Sequence, residues 1–76
     1  MRLEIGIPFD RDFEEVMHIG RECEELVIKH GGEWTDSGAG FGYRDLGFEI
    51  EDYSITDLVR KFLTEKGFEN FFCDVV

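Results

Sequence analysis

The sequence has one proline, at position 8, two cysteines, two histidines, and only eight Lys and Arg against eighteen Asp and Glu. Each shortage excludes something. With a single Pro and no low-complexity or repeated tract, nothing reads as a linker, and the 76 residues are expected to form one domain, 1–76. Cys23 and Cys73 stand far apart, with neither the paired spacing of a metal site nor the density of a disulfide framework. Free thiols in a reducing cytoplasm are the expectation. No apolar run approaches the ~20 residues of a membrane span. The leading MRLEIGIPFD alternates and carries Glu4, unlike a secretion signal.

The shortage of cations leaves a net charge of −10. That charge repels nucleic-acid phosphates and so argues against direct nucleic-acid binding. It favours a basic protein partner, which includes the basic surface of a nucleic-acid-binding protein. Acidity also keeps a small protein dispersed, and solubility is the competing account of the same charge.

What is present is enough for a core. Hydrophobic residues make up 42% of the chain, and eight are Phe, which excludes disorder. A domain of this size buries only about 60% of its unfolded surface, so the core has to be well used.

The stretch Gly38–Glu51, GAGFGYRDLGFEIE, organises the rest. Leu46, Phe48 and Ile50 alternate with acidic and small residues, the two-residue period of a strand with one buried face. Ahead of it, Leu3, Ile5 and Ile7 form the inward side of a first strand ended by Pro8. Asp12 followed by Glu15 has capping-box spacing and opens a helix from Phe13 to His30. Its inner face is expected to carry Phe13, Val16, Gly20, Cys23 and Val27, and Arg21–Glu25–Lys29 have the spacing of surface ion pairs. Gly31-Gly32 stops it. A short second strand, Glu33–Asp36, is expected to turn at Asp36-Ser37-Gly38 into a third strand through Glu51. Ser54 with Asp57, or Thr56, is expected to cap a second helix with Ile55, Leu58, Val59, Phe62 and Leu63 inward, ending at Gly67. Phe68–Val76 is the fourth strand.

The order βαββαβ in this length implies an α+β, ferredoxin-like two-layer sandwich: a four-stranded antiparallel sheet, strands one and three central, with two helices on one face. By parity the open face carries Arg2, Glu4 and Gly6, then Phe41, Tyr43, Asp45, Gly47, Glu49 and Glu51, and from the last strand Phe72 and Asp74. A face with aromatics at one end and carboxylates elsewhere suits a cationic partner. The candidate partner-binding residues are Glu4, Phe41, Tyr43, Asp45, Glu49, Glu51, Phe72 and Asp74. A homodimer through this face is a further option, although it would set the carboxylates against one another near its centre.

Gly40-Phe41-Gly42-Tyr43 resembles the core of the ribonucleoprotein motif on the third strand of RNA-recognition-motif domains, which have this topology. The resemblance spans about eight residues and implies that Phe41 and Tyr43 stack on bases. Around it the chain departs from the family. Ala39 occupies the basic position, Arg44 replaces an aliphatic, and Glu4 stands where the other motif has an aromatic.

The alternating glycines lack the third glycine and following helix of a dinucleotide fingerprint. A second function class remains: Gly38, Gly40, Gly42 and Arg44 holding an anionic small molecule in a regulatory module. Arg44 lies on the helix side by parity, expected either to reach past Gly42 to the rim or to pair with Glu24 or Asp36. Glu14, His18 and Glu22 share a helix face, but nothing completes a metal site. No Ser–His–Asp or Cys–His arrangement can be composed, and the loop after the first strand sets Asp10 and Asp12 beside Arg11, unlike the phosphate-cradling loop of an acylphosphatase. The chain is expected to be no enzyme, to need no metal or cofactor, and to bind and inhibit a basic protein. Immunity proteins and antitoxins are often small and acidic, and composition is the whole of that likeness.

Overall fold

Alternation in the first residues sets the architecture. Leu3, Ile5 and Ile7 are fully buried, while Arg2 and Glu4, on either side of Leu3, are partly exposed. This strand, β1 (Arg2–Pro8), is one of the two central strands in the computed structural model, which describes residues 1–76. It is followed by α1 (Phe13–Lys29), β2 (Glu33–Gly40), β3 (Tyr43–Glu49), α2 (Ile55–Glu65) and β4 (Phe72–Val75). The strands are antiparallel in the order β2-β3-β1-β4, the ferredoxin-like sandwich that the sequence pattern implies. One cluster of 15 buried residues joins Leu3, Ile5, Ile7, Leu46 and Phe48 of the sheet to Val16, Cys23 and Val27 of α1 and to Val59 and Leu63 of α2. No helix is long and apolar enough to cross a membrane.

Pro8 sits where its missing donor costs nothing. Phe9 N–H bonds Gly42 O at 2.9 Å, so alternation aims the nitrogen of Pro8 the other way, toward β4. The β1–β4 pairing has already ended at Gly6–Phe72.

Asp12 caps α1, accepting from Glu15 N at 3.2 Å. The helix ends at Lys29, one residue before His30, with Gly31 at φ +95° just beyond. Val16, Ile19, Gly20, Cys23 and Val27 are its buried face. Phe13 is not part of it. That side chain is 60% exposed and stacks on Phe9 with ring centroids 5.3 Å apart. Leu58 of α2 is likewise turned outward. The Arg21–Glu25–Lys29 ladder does not form; Glu22 instead meets His18 at 3.6 Å and Lys66 at 3.7 Å.

The start of α2 differs from expectation. Ser54 makes no capping bond, and Asp52 accepts from Ser54 N at 2.9 Å, which holds its carboxyl below the usual range. Thr56 is buried and donates its hydroxyl to Tyr53 O at 2.7 Å. At the other end of α2, Arg11 donates to the carbonyls of Lys66 (2.8 Å) and Gly67 (3.2 Å). Its guanidinium lies 3.9 Å from the centroid of Phe68. Phe68 is therefore a buried part of the connection, and β4 begins only at Phe72.

The largest revision is in the β2–β3 hairpin. The chain does not turn at Asp36-Ser37-Gly38. It continues to Gly40 and turns at Phe41-Gly42, with φ of +53° and +83°. Two successive left-handed residues make the tight turn whose twist matches that of the flanking strands. Asp36 stays in the strand because it faces Arg2 across the sheet, 2.9 Å from its guanidinium. An irregularity between Trp34 and Asp36 sets Asp36 opposite Gly47. Glu51 lies past the end of β3, exposed in the bend before α2.

Both thiols are free and buried. Burial pushes Cys23 up to about 12 and Cys73 up to about 11. A raised thiol pKa favours the folded state below the ordinary thiol value of 9.0, and this contribution fades as pH climbs through the folded values. The expected result is that stability measured by urea unfolding falls progressively above about pH 9. At pH 8 a thiol-reactive disulfide reagent should label the folded chain at least ~100-fold more slowly than the urea-unfolded chain. Equal rates would place the thiols outside the core.

Candidate partner-binding face

The side of the sheet away from the core is arranged in rows. Asp36, Gly47, Glu4 and Asp74 lie in register across all four strands, and Gly38, Asp45, Gly6 and Phe72 form the next row. Two glycines at the centre remove the side chains that would fill the middle of this face. Neighbours then lean over them. A Cβ added at Gly6 would collide with the ring of Phe72, and one at Gly47 would collide with the Asp36 carboxylate and the Arg2 guanidinium. Between these leaning groups is an open cleft of about 320 Å³, lined among others by Arg2, Glu4, Asp36, Asp45 and Phe72.

Arg2 is the hub of the face, a role that parity alone did not assign. Its Nε is 3.0 Å from Glu4, its Nη2 is 2.9 and 3.2 Å from the two oxygens of Asp36, and its Nη1 donates to Thr35 Oγ1 at 3.2 Å. The hydrogen bond to Glu4, then that to Asp36, hold the guanidinium even more firmly protonated than usual. Glu49 accepts from the Met1 ammonium at 2.7 Å, and Asp74 lies 3.7 Å from Arg60. The face is therefore less acidic than its list of carboxylates implies, because Glu4, Glu49 and Asp74 each have a cation beside them. Asp45 has none: it is exposed, lines the cleft and makes no ion pair.

The aromatic end is assembled by Tyr43 and Phe72, with ring centroids 5.6 Å apart and the Tyr43 hydroxyl donating to Asn70 O at 3.3 Å. Phe72 is 38% exposed at the cleft wall. Phe41 does not join them as a strand residue. It is the first residue of the hairpin turn, fully exposed. The pair of strand aromatics that the RNA-recognition-motif resemblance implies is thus not formed by Phe41 and Tyr43.

The alternative ligand set does not converge. A Cβ added at Gly38 or Gly40 would meet nothing within 4 Å, and Gly42 is in the turn. Arg44 is on the helix side, packed where a Cβ at Gly20 would lie 3.4 Å from its Cγ. It pairs with neither Glu24 nor Asp36. Its Nη1 donates to Gly38 O (2.9 Å) and Asp45 O (3.2 Å), and its buried Nε has no partner. Nor do Glu14, His18 and Glu22 converge: no three His, Cys, Asp or Glu side chains are placed to hold a metal ion.

The sequence matches no family model and has no significant similarity to any curated protein. Of the eight expected binding residues, Glu4, Tyr43, Asp45, Glu49, Phe72 and Asp74 share the open face, Phe41 stands at its tip, and Glu51 lies outside the sheet.

Proposed function

We propose that this chain is a non-enzymatic interaction domain that binds a basic protein through the open sheet face and thereby blocks that protein's own binding surface. The observation that carries the reading is the juxtaposition at the cleft of a partly exposed aromatic, Phe72, with an unpaired carboxylate, Asp45, on a rigid sheet. An aromatic wall supplies an anchor for the aliphatic stem of an arginine or lysine, and the carboxylate meets its head group. The net charge of −10 adds long-range attraction. Inhibition follows from occupancy, since a basic surface covered by an anionic domain no longer meets its own anionic partner. Free buried thiols agree with a reducing cytoplasm as its location.

The test compares the immobilised native chain with a Phe72→Ala/Asp45→Lys variant and with a Glu25→Lys control on the exposed side of α1. Each is exposed to cell lysate at low and moderate salt, and affinity is measured for whatever basic protein is captured. Loss of an interface anchor of about 2 kcal/mol or more predicts at least ~30-fold weaker binding for the face variant and little change for the control. Equal loss in both would move the site to α1. Capture of no basic protein by the native chain would leave the acidity as a solubility device.

A further inference from the structure

The longer sheet edge is unguarded over its second half, Ser37 to Gly40. β2 runs for eight residues, every one of them exposed, whereas β4 at the opposite edge has four. No strand pairs with its outer side, and no helix covers it. The register fixes which groups point outward. The turn follows Gly40–Tyr43, so that pair and Gly38–Asp45 exchange bonds with β3, in agreement with Arg44 reaching the carbonyls of Gly38 and Asp45 together. The N–H and C=O groups of Ser37 and Ala39 then face solvent.

Natural edge strands are protected by charge, proline, bulges or a covering element. Here the irregularity is confined to Trp34–Asp36. The carboxylate of Asp36 is drawn onto the open face by Arg2 and does not shield the edge. From Ser37 to Gly40 there is no charge, no proline and no large side chain. Pairing of two copies along this edge would bring two −10 chains together. A cationic strand meets no such penalty.

We infer that the β2 edge accepts an extended segment of a basic partner as a fifth strand, bonded to the outward groups of Ser37 and Ala39. The choice of a basic occupant rests on the charge reading above, while the edge itself does not. The acidity then has a second use: it suppresses self-pairing at the one edge that invites it.

The probe is a capped eight-residue peptide of alternating Lys and Val, titrated into the isotope-labelled full chain. Amide hydrogen exchange at Ser37 and Ala39 should slow at least ~10-fold, and less so at high salt. Ala39→Pro removes only an outward-facing donor, so the fold should persist while the protection at Ser37 is lost. The Phe72→Ala/Asp45→Lys variant should keep that protection, which separates this edge from the open face. Unchanged exchange at Ser37 and Ala39 with millimolar peptide overturns the inference, as do shifts confined to the cleft residues. Protection without peptide, together with a dimer in sedimentation, also overturns it and assigns the edge to a second copy.

Discussion

Phe48→Ala should unfold most of the chain at room temperature. Phe48 is fully buried and stands at the centre of the sheet, opposite Leu3 of β1 on one side and Trp34 of β2 on the other. It is among the largest side chains of the 15-residue core. Removing a buried Phe typically costs about 3–5 kcal/mol, because the transfer free energy is lost and a cavity remains. A single core in a domain of this size rarely supplies more than about 3–5 kcal/mol in all. The loss therefore matches the total. Circular dichroism should show lost helix signal and no cooperative thermal transition. Phe72→Ala, on the opposite side of the same sheet and 38% exposed, should leave the transition cooperative. A Phe48→Ala protein melting within a few degrees of native would mean that the core is not where these layers place it.

Phe41→Asn should have the opposite sign. Phe41 is the one non-glycine residue with positive φ, at +53°, and its ring is fully exposed, so folding gains nothing from it. An L residue held in the left-handed region costs roughly 1–2 kcal/mol, and Asn before Gly is the preferred pair for this turn. Relief of about 1 kcal/mol corresponds to roughly 4–8 °C in the melting temperature of a domain this small. Strain kept where a better residue is available is characteristic of functional positions. The same variant should bind the captured partner more weakly, because the exposed ring at the tip of the hairpin is lost. A variant that is both more stable and equally well bound would remove Phe41 from the site. A variant with unchanged stability would mean that the turn carries no strain.

Parity made much of this legible from sequence. Leu3, Ile5 and Ile7 against Glu4, and Leu46 and Phe48 against Asp45 and Glu49, fix the buried side of both central strands. Placing Phe72 and Asp74 outward followed from keeping a carboxylate out of the core, and Cys73 between them is indeed buried. The turn was not legible, because Asp36-Ser37-Gly38 has turn chemistry equal to that of the real one. The tertiary pairing of Asp36 with Arg2 decides between them, and that pair exists only once the register of β2, β3 and β1 is set. The same dependence hid Arg2 itself. Its position beside Glu4 on the open face was visible, but the partner 34 residues away was not. Phe13 misled for a simpler reason: helical spacing placed it inward, but it begins the helix and stacks on Phe9 at the rim instead.

The edge and the face make different demands on a partner. The face asks for a cationic side chain over Phe72 and beside Asp45. The edge asks for a free strand of low bulk. Both belong to one sheet of a −10 chain, and on the proposed reading a single basic protein with an extended loop satisfies the two together.

The most direct test of the central claim is the ionic-strength dependence of association between the native chain and the basic protein it captures. Stopped-flow rates would be taken from low salt to well above physiological salt, where the screening length falls below about 8 Å. Electrostatic steering by a −10 domain predicts an association rate constant that drops at least ~10-fold over that range, with dissociation nearly unchanged. An association rate constant independent of salt would contradict the account, since the charge would then have no part in finding the partner.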